Sequence, residues 1–144
     1  MKADQTKNIS ELLLKIKNKC HEKDKKTAEN FGITYPEFNC MSLFFSKDQF
    51  LVKELAEKLC LTSGGVTRIV SNLEKDGYVI REMAPHDRRG VVVSMTDKGK
   101  ILVQKLQDDS REYCHSVLSN IPQTDHAMLL RSMELLLKAL KKRD

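Results

Sequence analysis

No two cysteines in this chain form a CxxC pair. Cys20, Cys40, Cys60 and Cys114 stand at least twenty residues apart, which argues against a zinc-finger framework. No apolar run approaches the roughly 18 residues of a membrane span, and no apolar stretch of the secretory type opens the chain. The expectation is a cytoplasmic protein with reduced thiols. There is no glycine-rich phosphate loop after a strand, no metal-ligand spacing and no nucleophile elbow. Ser, His and Asp residues occur, but nothing in their spacing brings them together. Catalysis, a bound metal and a cofactor are therefore not expected. Internal repeats and low-complexity segments are absent as well.

What is present suits one domain, or two small lobes sharing a core: 144 residues with 40% hydrophobic content. The formal net charge is +5 and the isoelectric point about 9.0, which favours polyanionic partners. The excess is spread through folded surfaces. Residues 1–29 hold eight Lys and five acids, and residues 47–100 hold ten Lys/Arg and eight acids.

Residues 8–28 have helical spacing, with Ile9, Leu12, Leu13, Ile16 and Cys20 recurring every three or four residues. Gly32 punctuates the break that follows. Thr34-Tyr-Pro-Glu37 has capping-box spacing with a proline in the first turn. The helix it opens, to about Phe45, is apolar nearly all round and is expected in the centre of the fold. Lys53–Leu59 reads as a short helix with a stripe of Val52, Leu55, Ala56 and Leu59. Leu61-Thr62-Ser63 is a turn. A further helix runs from Ser63 to Asp76 and stops at Gly77. Tyr78–Met83 and Val91–Met95 read as an antiparallel hairpin around an 84–90 loop. Thr96-Asp97 caps a helix to about Asn120. Pro122 interrupts, and a last helix opens at Thr124 or Asp125 and ends near Lys142.

The last helix carries more apolar residues than the roughly 100° stripe of a surface helix. Met128, Leu129, Leu130, Met133, Leu135, Leu136, Leu137, Ala139 and Leu140 share it. One face can pack inward, and a second copy of the chain is the simplest cover for the rest.

The helix over residues 63–76 carries the chemistry. Val66, Ile69, Val70 and Leu73 fall at i, i+3, i+4 and i+7 and bury one face. Ser63, Gly64, Thr67, Arg68, Ser71 and Asn72 lie elsewhere, short and polar except for the arginine. Arg pairs bidentately with guanine, Asn with adenine, and Ser and Thr with base or phosphate. Gly64 and Gly65 each cost a helix interior about 1 kcal/mol against alanine; they suit a backbone that approaches a phosphate closely. The plain alternative is a solvated helix face, but such a face is richer in Glu and Lys pairs. Here Ser63 to Asn72 holds no acid, and the acids return only at Glu74 and Asp76.

His86-Asp87-Arg88-Arg89-Gly90 sets two guanidinium groups at the hairpin tip, where arginine suits the narrow, electronegative minor groove. Asp87, two residues before Arg89, is placed to brace it. Solvation is the ordinary fate of two arginines in a turn; the preceding helix-turn-helix favours DNA.

The segment resembles the winged helix-turn-helix of the MarR family of bacterial transcription regulators. Glu54-Leu-Ala56, Val66 to Val79, Asp87-x-Arg89 and Ser94 to Gly99 carry the likeness, over about a third of the chain. Val93 and Met95 stand where the family's wing motif has leucines. The resemblance implies a mostly α fold with a small β-hairpin wing: a winged helix-turn-helix lobe at 34–96 and a helical dimerisation region at 1–33 and 97–144. It implies a homodimer on a pseudo-palindromic double-stranded DNA operator. Ser63, Thr67, Arg68, Ser71 and Asn72 would face the major groove, Arg89 would enter the minor groove braced by Asp87, and Arg88 would take phosphate. Family members typically repress, and leave DNA when a small aromatic or other effector binds, when a cysteine is oxidised, or, in one branch, in response to zinc. Cys20 lies loosely near the reactive position of the peroxide-sensing branch, and Cys114 is the other redox candidate. Cys40 and Cys60 read as structural. His21 and His115 follow Cys20 and Cys114, but adjacent residues do not share a helix face, so no metal set is expected. Tyr35, Phe38, Phe44 and Phe45 would line an effector site or, more simply, pack the core. The competing function is a winged-helix protein-interaction module that has abandoned DNA.

Overall fold

A computed structural model describes residues 3–85 and 87–143, with the backbone alone at 87–89. The elements are α1 (Ala3–Asn30), α2 (Tyr35–Leu43), β1 (Gln49–Leu51), α3 (Val52–Leu59), α4 (Ser63–Lys75), β2 (Val79–Ala84), β3 (Asp87–Met95), α5 (Asp97–Leu118) and α6 (His126–Lys141). A short 3-10 turn, Gln123–Asp125, precedes α6. The fold is mostly α with a small antiparallel sheet, as the sequence indicated. The chain forms two compact units, Met1–Leu106 and Gln107–Asp144, divided within α5.

The first unit is organised around α2. Its capping box forms as the sequence predicts: the Glu37 N–H donates to Thr34 Oγ1 at 3.3 Å, and the Thr34 N–H donates to Glu37 Oε2 at 3.4 Å. These bonds satisfy donors that the first helical turn leaves open. Phe38, Cys40, Met41 and Phe44 are buried, in a core shared with Leu55, Val66, Val70, Leu73, Val93 and Leu106. Phe44 meets Phe50 edge-on, with ring centroids 5.1 Å apart. Truncating a fully buried residue such as Leu73 to alanine costs about 2–5 kcal/mol in a core of this kind.

Three differences from the sequence reading matter. A third strand, β1, pairs antiparallel with β3, so the sheet order is β1-β3-β2. Phe50 stands opposite Val93, and both are buried. Three residues are too short to show a period, and the chain passes directly into α3. The hairpin strands are also longer than read, with Ala84 paired to Asp87 where residues 84–90 were expected as loop. Finally, α1 (Ala3–Asn30) extends beyond the 8–28 expected; of its residues only Thr27 and Ala28 are buried, and Ile9, Leu12, Ile16 and Cys20 are exposed.

In the second unit, His126 opens α6 and ties it to the chain just before it. Its Nε2 lies 3.1 Å from the Leu118 carbonyl oxygen and 3.0 Å from that of Ile121. Two acceptors at one nitrogen require that nitrogen to carry the proton. No residue of α6 is buried. Met128, Leu130, Met133, Leu135 and Leu137 are all at least half exposed.

Candidate nucleic-acid interface

The turn between α3 and α4 is built by two caps. At the end of α3 the Leu61 N–H donates to the Ala56 carbonyl at 3.0 Å, and that of Cys60 donates to Glu57 at 3.2 Å. This is the Schellman pattern. It puts Cys60 in the left-handed region, at φ 54 and ψ 42. Cys60 was expected as a packed turn residue but is exposed, because its backbone rather than its side chain serves the turn. Thr62 then caps α4, its Oγ1 accepting the Gly65 N–H at 3.1 Å. The helix begins at Ser63, as expected, and Thr62 is its cap. A Thr just before an apolar-periodic run was the signal for it.

Val66, Ile69, Val70 and Leu73 are buried as their spacing predicts. That burial fixes the rotation of α4 and decides which residues face outward. Ser63, Gly64, Thr67, Arg68 and Asn72 are exposed, and Ser71 is half-buried. The Thr67 hydroxyl donates to the Ser63 carbonyl at 2.8 Å, which leaves its oxygen to accept from a partner. No acid sits in the first turn of α4. A β-carbon added at Gly64 would meet nothing within 4 Å. Leu61, expected only as part of the turn, is an exposed apolar residue near Gly65.

The acid expected to point away from the face has a structural task. Glu74 accepts the Arg81 backbone N–H at 2.9 Å and its guanidinium at 3.0 Å. The Arg81 side chain, and then its N–H, hold the Glu74 carboxyl below the usual carboxylate range. Beyond this anchor the hairpin is irregular. Met83 pairs with Val91 and Ala84 with Asp87, so one step along β2 matches four along β3. Arg88, Arg89 and Gly90 form the bulge, which re-aims a strand locally. The side chains of Asp87, Arg88 and Arg89 lie outside the described residues, as does His86, so the proposed brace between Asp87 and Arg89 does too.

Among the thiols, Cys40 is buried, and burial, with Glu37 adding to it, pushes its pKa up to about 12. It is an inert core residue. Cys20 and Cys114 are exposed. Of the aromatic residues, Phe38 and Phe44 are in the core and Tyr35 packs against it, with His21 edge-on to the Tyr35 ring at 4.6 Å. Among the described residues no His, Cys, Asp and Glu cluster gathers in a way that would hold a metal ion, and no helix is long and apolar enough to cross a membrane.

Two helices joined by a tight turn, the second with an uncovered polar face, followed by a bulged hairpin, define a winged helix-turn-helix. Residues 33–91 match the model of the MarR family, and the winged helix-turn-helix of this chain is that of the MarR family. The organic hydroperoxide resistance transcriptional regulator of Bacillus subtilis is 31% identical over 84 residues, covering 58% of this chain and 57% of that protein. The chain thus spans little over half the length of the first relatives it matches. Two solved structures share the fold at 20% identity. A MarR family protein from Bacillus stearothermophilus superposes with a TM-score of 0.89 over 98% of this chain and 99% of its own. Streptococcus pneumoniae FabT in complex with DNA does so with a TM-score of 0.81 over 96% and 99%.

Proposed function

We propose that this protein is a dimeric, sequence-specific DNA-binding transcription regulator, a repressor released by a small-molecule effector. The observation that carries the reading is the exposed, acid-free face of α4 beside a bulged hairpin rich in arginine. Arg68, Ser71, Asn72 and Thr67 read bases in the major groove, and Ser63 and Gly64 meet phosphate at the start of α4. Arg89 enters the minor groove, Asp87 braces it, and Arg88 takes phosphate. That FabT was solved in complex with DNA supports this use of the fold. Residues 1–33 and 97–144 form the dimer, which supplies cover for the exposed apolar residues of α1 and α6.

The test is selection of duplexes from a random pool. The expected product is a pseudo-palindrome with half-sites about 10 bp apart. Arg68→Ala should then weaken binding by about 1–3 kcal/mol and relax preference at one base pair, whereas Arg88→Ala should weaken binding to all sequences and lower the salt slope by about 1. Recovery of no preferred sequence would count against DNA recognition and in favour of a protein-interaction module.

A second signal has one specific support. Cys20 and Cys114 are exposed thiols, and one relative is named for resistance to organic hydroperoxide. On this reading peroxide oxidises one of them and releases DNA. Titration with an organic hydroperoxide, followed by binding to the selected duplex with Cys20→Ser and Cys114→Ser, separates it from effector release: a redox switch predicts that one substitution abolishes the response.

A further inference from the structure

One hydroxyl closes two helices. Thr96 Oγ1 donates to the Gly77 carbonyl at 2.5 Å, where the chain leaves α4, and accepts the Gly99 N–H at 3.0 Å in the first turn of α5. The Thr96 N–H donates to the Tyr78 carbonyl at 3.0 Å. Lys98 Nζ donates to the Asp76 carbonyl at 2.6 Å and stands 4.6 Å from the centroid of the Tyr78 ring. Three consecutive carbonyls, those of Asp76, Gly77 and Tyr78, are thus each held by residue 96 or 98. Gly99 completes the contact: a β-carbon there would lie 2.0 Å from the Tyr78 carbonyl oxygen, so only glycine lets α5 rest on that peptide.

This matters because α4 exits through Gly77 at φ +83. Burial fixes the rotation of α4, but its exit runs through a left-handed glycine, the residue type with the widest backbone freedom, so the link from that exit to α5 depends on what holds it. We propose that Thr96 and Lys98 are positioning residues for DNA recognition, locking α4 to the first turn of α5 so that the two move as one body. A change in the direction of α5 is then delivered to the groove-facing residues instead of being absorbed at Gly77. This inference rests on the DNA-binding reading given above.

The experiment compares Thr96→Val, Thr96→Ser and wild type on two duplexes: the one recovered by wild type from a random pool, and one of unrelated sequence. The valine keeps the shape and loses the hydroxyl; the serine keeps the hydroxyl. Thr96→Val removes both hydrogen bonds of the hydroxyl, and their loss at a positioning point predicts at least roughly tenfold weaker binding to the selected duplex. Binding to the unrelated duplex should be unchanged, and serine should restore selectivity. Equal loss on both duplexes, or unaltered selectivity in a folded Thr96→Val, overturns the proposal while the DNA-binding reading stands. Failure of wild type to select any sequence overturns both. If Thr96→Val does not fold, Lys98→Met decides. It changes an exposed side chain, and it should also lower the ratio of selected to unrelated binding; an unchanged ratio refutes the joint.

Discussion

Glu74 grips Arg81 at two points, the backbone N–H at 2.9 Å and the guanidinium at 3.0 Å. Two bonds from one carboxylate fix both position and direction. The first residues of β2 are therefore tied to the last turn of α4, and the hairpin that carries Arg88 and Arg89 starts from a defined place.

The same contact sets a pH dependence. Arg81 lowers the Glu74 pKa in the folded state, so on acidification the unfolded chain takes up its proton first. The contribution to stability is fully present above the unfolded glutamate value, about 4.3, and is lost as pH falls through the lowered folded value. Glu54, lowered by Lys47 and by the Leu51 N–H, behaves alike. Glu74→Gln should reduce stability at neutral pH and flatten its decline with acid. Denaturant midpoints measured at a series of pH values check this, and parallel acid limbs for mutant and wild type would contradict it.

Two glycines should respond oppositely to alanine. At Gly64 the added methyl meets open space, so Gly64→Ala should stabilise α4 by up to about 1 kcal/mol. It should also weaken binding to the selected duplex if phosphate approaches there. At Gly99 the methyl collides with the Tyr78 carbonyl, and overpacking of this kind costs about 1–3 kcal/mol or more. Thermal unfolding of both variants, with binding titrations of the first, measures the contrast.

Cys60 holds a left-handed backbone that favours glycine. Cys60→Gly should relieve about 1 kcal/mol of strain, offset in part by the greater freedom of glycine when unfolded. A small rise in denaturant midpoint is expected. A fall would show that the thiol makes a stabilising contact.

The apolar surface of α6 predicts an assembly. Leu130 and Leu137 are each more than half exposed, so replacing both with Glu should leave the helix content of the chain unchanged. If a second copy covers them, the double variant should be a monomer by light scattering where wild type is a dimer, and its affinity for the two-site duplex should collapse. A wild-type monomer would remove the dimer from the proposed function.

Much of the site was legible because α4 is long enough to show its period. Four buried residues at helical spacing specify one face, and the remaining polar residues follow by rotation. The Thr34–Glu37 box was legible for a similar reason, since a cap is a local contact between residues three apart. The strand β1 was not, because Phe50 becomes a strand residue only when Val93 arrives from more than forty residues further on. The exposure of Cys60 was not legible because it depends on how α3 closes, which its own side chain does not signal.

Periodicity and contacts within one turn specify the helices, the Thr34–Glu37 box that opens α2 and the polar face of α4. Packing of the chain supplies the rest: the partner of Glu74, the third strand, and the joint of Thr96 with Gly77. Those contacts join residues seven to more than forty positions apart, and only the packed chain brings their atoms within hydrogen-bond range.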